Sequence, residues 1–362
     1  LPFQEGFTQL GSREKAAAAT RFKLGYDSRN LYFWVECDEP AMDRLTTLGG
    51  KFDDRDRWRE DSIELSLSPD LKAWTYYKLM FSADGGISDM LLTDNNTAQN
   101  VFLTDWNYDS HAVVKTGRGK DGWRLEAAIP FYPMNLLAAG PVWRFNVARN
   151  RYTDPSRPRG ELTSFAPLSQ YNYNRPLEFH TMNMADFNPD GYRWALSVKN
   201  GVTGKAGGEL VYRIKPEAIN RSPDFRVARF AAELLNADGV VSHLESTAPS
   251  AYPPDALNST EFELPCPVPG KYQCRVTLLN LAGLPLAGVE REVELQYQPV
   301  RVDFRSPAYL AAIFSSMKDP VIEAQITVDR EAFKETRLPV ELTAADGRVI
   351  EARRDRKSTR LN

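Results

Sequence analysis

The sequence is poor in the residues that build metal centres and covalent frameworks: its 362 residues include three cysteines and three histidines. Cys37, Cys266 and Cys274 are too few, and odd in number, for a disulfide framework. Cys266 and Cys274 flank a Pro-Gly turn, and the pattern leaves two states open for them, a disulfide in an oxidising compartment or buried free thiols. His111, His180 and His243 lie far apart, which argues against a histidine-rich metal centre and a histidine-based catalytic triad. No apolar run reaches the roughly 18 residues that a spanning helix needs, so no membrane span is expected. A net charge of -3 offers no basic face, which argues against a nucleic-acid partner. The chain opens Leu1-Pro2-Phe3 without a leader, as expected of a mature product or a fragment. Gly117 to Gly122 has the glycines of a phosphate loop but no following helix, so it reads as a hairpin turn.

What is present is β structure. The stretch Trp58 to Pro69 organises the first half of the chain. Ile63, Leu65 and Leu67 alternate with Ser62, Glu64, Ser66 and Ser68, the period of a strand with one face in a core and the other toward solvent or a ligand. Glu60, Asp61 and Glu64 with Trp58 at its start suit a sugar, because an aromatic face covers the C–H surface of the ring while carboxylates accept hydroxyl protons. Arg21–Tyr26 and Leu31–Cys37 form a hairpin that leaves Trp34 on the outer face, where the opposing sheet or a loop must cover it.

Trp58, Asp61, Ser62, Ile63 and Glu64 resemble the Trp-x-x-Asp-Ser-Val-Glu strand of carbohydrate-binding module family 9, a β-sandwich attached to xylanases and other extracellular polysaccharide-acting proteins. Phe22 to Val35, Gly122 to Phe131, Trp143 to Arg149 and Pro176 to Phe179 continue the match in family order. The resemblance implies a non-catalytic sugar clamp with Trp58 on one side and Tyr173, in place of a tryptophan, on the other; Glu64 is the implied hydroxyl acceptor. Other polar positions of the family fall on Lys78, Met80 and Ala148 or its neighbour Arg149, a loss that weakens discrimination between sugars more than stacking. It also implies an extracellular or cell-surface protein linked to polysaccharide breakdown, with a polysaccharide or oligosaccharide as partner. The 38–57 segment holds Asp38, Asp43, Asp53, Asp54 and Asp56, the oxygen donors that calcium prefers, and calcium sites are known in the family; the other reading is a solvated acidic loop. The pattern names a segment and no individual metal ligands.

The fold expected is all-β, as consecutive β-sandwiches: 1–187 in the family 9 manner, an immunoglobulin-like sandwich of seven strands over 192–298, a truncated third sandwich over 299–355, and a non-native tail at 356–362. Residues 186–191 read as the first linker. Two competing functions stand beside sugar binding. One is an architectural or interaction module. The other is a fragment of a glycoside hydrolase in which Glu64 and Glu126 serve as acid and base, against which the resemblance implies no catalytic residue.

Overall fold

A computed structural model describes residues 1–49, 53–94, 102–297, 300–306, 323–328, 339–343 and 349–354. The first domain contains strands β1 (Thr8–Gln9), β2 (Thr20–Tyr26), β3 (Asn30–Asp38), β4 (Ser62–Ser68), β5 (Thr75–Ser82), β6 (Ile87–Asp94), β7 (Phe102–Asp105), β8 (Val113–Arg118), β9 (Gly122–Pro130), β10 (Val142–Arg151), β11 (Glu161–Ser164) and β12 (His180–Asn183). They form two antiparallel sheets. One runs β1-β11-β10-β4-β5-β6-β7 with β12 added beside β10, and the other runs β2-β3-β9-β8. Turn chemistry fixes the registers: Asp27 Oδ1 accepts from the amides of Arg29 (2.7 Å) and Asn30 (2.8 Å), closing the β2–β3 turn.

The core lies between the sheets. Ile63, Leu65 and Leu67 of β4 pack there with Leu79 and Phe81 of β5, Leu31, Phe33 and Val35 of β3, and Leu125 and Ile129 of β9. The alternation read from the sequence therefore gives the inner face correctly. It does not give the outer one, because every residue of β4 is buried. The outer face of the larger sheet carries a second small core, in which Tyr76, Met80, Met90 and Leu92 meet Ala166, Leu168 and Phe179 from the segment after β11.

The carbon-terminal neighbour is a second sandwich with one core built around Trp194, Phe230, Tyr252, Phe262 and Leu278. Seven strands were expected and eleven are found: Val202–Ala206, Pro216–Asn220, Ser250–Tyr252 and Leu257–Ser259 complete a five-stranded sheet and two three-stranded ladders. The missed strands are short, and one contains a glycine and another begins at proline, which weakens any alternating signal. Residues 133–137 form no helix, and a 3-10 turn, Pro176–Glu178, leads into β12. All three cysteines are buried free thiols, with Cys266 Sγ donating to the Val268 carbonyl at 3.0 Å. Of the third unit, two ribbons are described, Val300–Ser306 with Glu323–Val328 and Pro339–Thr343 with Val349–Arg354. The 308–314 strand and the 356–362 tail expected from the sequence lie outside the described residues.

The expected linker is a packed joint. Phe187 is buried against Phe131 (ring centroids 4.2 Å) and Trp143, Tyr192 stacks on Phe187, and a 3-10 turn over Pro189–Tyr192 leads directly into Trp194. Further along the seam, a Cβ at Gly288 would stand 3.0 Å from the Tyr132 ring, and Arg275 faces Asp109 at 3.8 Å. Because proteolysis of a native chain needs local opening, we expect limited thermolysin digestion to spare residues 186–192 until the first domain itself unfolds, read by mass spectrometry of the first fragments. Early cleavage there would mean that the joint opens independently of the core.

Candidate functional site

Trp58 sits in a 3-10 turn, Arg57–Arg59, just before β4. Both charged neighbours of this turn point inward. Arg57 and Glu60 are fully buried and paired at 2.6 Å, and Arg57 Nε also donates to Ser88 Oγ at 2.8 Å. Locked on both sides, Trp58 is held on the surface at 42% exposure, with the Arg59 guanidinium 4.8 Å over its ring. The turn thus presents an aromatic face whose orientation is set by a buried ion pair.

The acidic cluster expected to meet a ligand does something else. Glu60 Oε2 accepts from the Leu48 amide at 2.7 Å, while Asp61 accepts from the amides of Thr46 (2.7 Å) and Tyr152 (3.1 Å). These two carboxylates fasten the 38–57 loop and the β10–β11 loop to the start of β4. Burial raises the pKa of each above the ordinary carboxylate range, although the backbone donors pull the other way.

Glu64 lies on the outer face of β4, opposite Ala148 and Met80 on the neighbouring strands. It is 3% exposed. Its Oε1 accepts from Asn150 Nδ2 at 2.9 Å, and its Oε2 faces Lys78 Nζ at 3.0 Å as an ion pair without hydrogen-bond alignment. The aligned bond of that ammonium goes to Asn174 Oδ1 at 2.7 Å, which also accepts from Tyr76 Oη at 2.8 Å. Glu64 was expected to accept a sugar hydroxyl; here the internal cation and amide already occupy it.

Tyr173 was expected as the opposing wall. Its hydroxyl is turned inward and donates within reach of the Arg149 and Thr163 carbonyls, both at 3.2 Å. Burial, with the nearby Glu64 charge, raises that hydroxyl's pKa well above the usual value. Lys78 lies 6.0 Å from the ring centroid, so Tyr173 forms part of the roof over Lys78 and Glu64. Two residues earlier, Tyr171 is 61% exposed and packs its Cβ side toward Gly11. Tyr171, Arg59, Asp61 and Glu64 all act electrostatically on Tyr152, which places this second tyrosine among the same groups. Tyr152, Tyr171 and Tyr173 are thus associated with a floor of Glu64, Lys78, Asn150 and Asn174 on the outer side of the larger sheet, and Trp58 is linked to them through Arg59, which lies over its ring. Asn150, Tyr152 and Tyr171 were missed in the sequence, where only their position one to three residues from a motif residue could have marked them. Ala148 shares the outer face with Glu64 and offers no polar side chain; Arg149 points inward and reaches Glu39 Oε2 at 3.2 Å.

The glycosidase pair is excluded by topology. Glu64 faces outward from one sheet and Glu126 outward from the other, with the whole core between them, and packed sheets alone stand about 10 Å apart. Acid and base must flank one bond, so these two carboxylates cannot act on one glycosidic linkage.

Carboxylates do converge elsewhere. Of the aspartates in the 38–57 segment, Asp54 caps the Asp56 amide (2.9 Å) and Asp56 faces Arg59 at 3.6 Å, while Asp53 turns toward Asp89. Asp53, Asp89 and Asp109 line a cavity of about 280 Å³ with Ser110 and His111. Burial, reinforced by Asp109 and Asp53, pushes the Asp89 carboxyl up to about 7 against the donors from Ser110, and burial with the Asp109 charge raises Asp53.

No family model matches the chain, and no curated protein matches it. Solved structures with a related fold are found. A family 9 carbohydrate-binding module from Caldicellulosiruptor kristjanssonii, in complex with cellotriose, is 21% identical over 50% of this chain and 81% of that one, with a TM-score of 0.33. A proposed carbohydrate-binding protein from Bacteroides uniformis is 13% identical over 51% of this chain and 86% of that one, at 0.40. A β-glucuronidase of the same organism is 12% identical over 77% of this chain but only 27% of its own, at 0.24. The chain is similar in fold to these modules, and functional argument rests on the side-chain geometry above.

Removing the cation from the floor leaves a buried carboxylate without its counter-charge, a change that typically costs about 3 to 5 kcal/mol. Lys78→Met is therefore expected to lower the unfolding free energy of the first domain, measured in urea, by that order and its midpoint with it, whereas Lys72→Met, at an exposed turn, leaves both unchanged. Equal midpoints for the two variants would show that the Glu64–Lys78 pair contributes nothing.

Proposed function

We propose that the amino-terminal sandwich binds carbohydrate without cleaving it, as one module of an extracellular or cell-surface protein linked to polysaccharide breakdown. The observation that supports this most is Trp58, an exposed indole whose turn is fixed by the fully buried Arg57–Glu60 pair. A surface tryptophan held this firmly loses little further entropy when a ring stacks on it. Tyr171 supplies the exposed second aromatic, and Arg59 and the rim amides supply donors. Because Glu64 is neutralised internally, recognition runs through stacking more than through hydroxyl pairing. Affinity is expected in the range of about 10 µM to 1 mM, equivalent to about 4 to 7 kcal/mol. Titrating the chain with gluco-, xylo- and manno-oligosaccharides by tryptophan fluorescence tests this: Trp58→Ala and Tyr171→Ala should each weaken binding about tenfold. Failure of every sugar to bind, or undiminished binding by Trp58→Ala, would remove the proposal.

The filled floor is the specific observation in favour of the other reading, an architectural sandwich in which Glu64, Lys78, Asn174 and Tyr173 are packing. A complete lack of sugar binding with Trp58→Ala still normally folded would leave that reading in place.

A calcium ion at the cavity that Asp53, Asp89 and Asp109 line is part of the same proposal. These aspartates line one cavity without forming a closed ligand cluster, and a hard divalent cation drawn in among them would favour the charged forms of Asp53 and Asp89, which burial and then the neighbouring carboxylates disfavour. Since a ligand of the folded state alone raises stability by mass action, chelation should lower the melting temperature of the parent and leave that of Asp89→Asn unmoved. A parent melting curve indifferent to chelator would rule the ion out.

A further inference from the structure

The smaller sheet turns its outer face to solvent, and that face contains a groove of about 490 Å³, within the range of small-ligand sites. Strand registers assemble it from two neighbouring rows. Lys23, Trp34, Glu126 and Lys115 stand side by side across β2, β3, β9 and β8, and beside them run Gly25, Tyr32, Ala128 and Val113. The small residues Gly25 and Ala128 form the depression, with the Leu1 side chain against Gly25 at one end, and Trp34 lines it beside them. Nothing from the opposite sheet covers this tryptophan. It is half-buried along the groove, and its Nε1–H donates to Glu36 Oε1 at 3.2 Å, while Glu36 is held in turn by Arg21 at 2.6 Å. The ring is thus oriented before any ligand arrives.

Charges along the row are what select the occupant. Among the described residues, Lys115 and Glu126 have neither an ion pair nor a hydrogen bond to a side chain, although they face one another across strands. Lys23 lies 4.1 Å over the Phe3 ring, its ammonium at the other end of the row. At about 4.8 Å per strand, the two lysines are separated by about 14 Å of backbone with the indole between them. A flat apolar protein surface laid on this face would bury Lys115 and Glu126 unpaired, which is costly. A sugar chain bearing carboxylates stacks on the indole, pairs with the lysines at either end and donates its hydroxyls to Glu126, leaving the rim wet. We propose that the outer groove of the four-stranded sheet, around Trp34, Lys23, Lys115 and Glu126, is a binding site for an acidic, uronate-containing oligosaccharide. This site lies on the face opposite Trp58 and does not depend on binding there.

The test titrates the whole chain with a galacturonate trimer and with the neutral galactose trimer, by calorimetry at low and high salt. The acidic trimer should bind more tightly than the neutral one, and less tightly as salt rises. Lys115→Gln changes one exposed side chain and should keep the parent melting temperature while weakening the acidic trimer about threefold to tenfold. Trp34→Ala should weaken it more than about tenfold, and Trp58→Ala should leave it unchanged. Absence of binding, equal affinity for the two trimers, or an affinity unaltered by Lys115→Gln would each overturn the proposal. If Trp34→Ala does not fold, the lysine variant and the salt dependence still decide it. Loss of the acidic trimer with Trp58→Ala would instead move the site to the other sheet.

Discussion

Everything in the first domain depends on β4 having no solvent face. A strand at the centre of a sandwich ordinarily buries one side, and its polar alternates stay wet. Here Ser62, Glu64, Ser66 and Ser68 are as buried as the leucines between them, and Glu60 and Asp61 at its entrance are buried as well. A carboxylate removed from water must find a cation or several donors. Each of the three does: Glu60 has Arg57 and the Leu48 amide, Asp61 has two amides from distant loops, and Glu64 has Lys78 and Asn150. These requirements fix where the flanking loops lie and, through Arg57, where Trp58 is displayed.

The same constraint recurs at the strand edges. Glu39 receives Arg149 at 3.2 Å and Arg151 at 2.6 Å, and Arg151 also reaches Glu161 at 3.3 Å. For Glu39, burial acts to raise the pKa, but donation from Arg151 and the Ala41 amide outweighs it and holds the carboxyl below its ordinary value. A group depressed in this way contributes stability above its unfolded pKa, which is lost as pH falls through the folded one. This network, which joins the loop after β3 to β10 and β11, therefore contributes stability that is lost as the solution becomes acidic.

The inner half of this architecture is legible in the sequence and the outer half is not, for a definable reason. Ile63, Leu65 and Leu67 carry their own alternation, and the hairpins of β2–β3, β5–β6 and β8–β9 carry their turn residues close by. Burial of Glu64 depends on Tyr173 and Asn174, about a hundred positions away, and no local period reports that. A two-residue shift also separates motif from function: Tyr173 and Asn174 turn into the roof over Glu64, whereas Tyr171 and Asn172 before them are exposed. Residues 186–191 have the composition of a linker because they are turn formers, yet Phe187 among them closes the core. Trp34 was placed on the outer face by alternation alone, and that was sufficient.

The two outer faces show how one sandwich can treat the same problem in opposite ways. On the larger sheet, Lys78 stands where a sugar's hydroxyls would otherwise meet Glu64, and Asn174 completes its coordination. An ammonium beside a buried carboxylate is a stronger partner than a neutral hydroxyl, so a sugar cannot displace it without leaving two charges exposed to an apolar roof. Recognition on that side is confined to the rim, where Trp58 and Tyr171 offer stacking area and little hydrogen-bond selectivity. On the smaller sheet the amino terminus reaches the groove, with Leu1 against Gly25 and Phe3 beside Lys23, while among the described residues Lys115 and Glu126 have no ion pair, and the indole is fixed at its edge by Glu36, which Arg21 holds. Discrimination between ligands follows from unpaired polar groups, because those are what a wrong ligand leaves unsatisfied. If both faces bind sugars as proposed, the face that retains such groups, around Trp34, would be the more selective one.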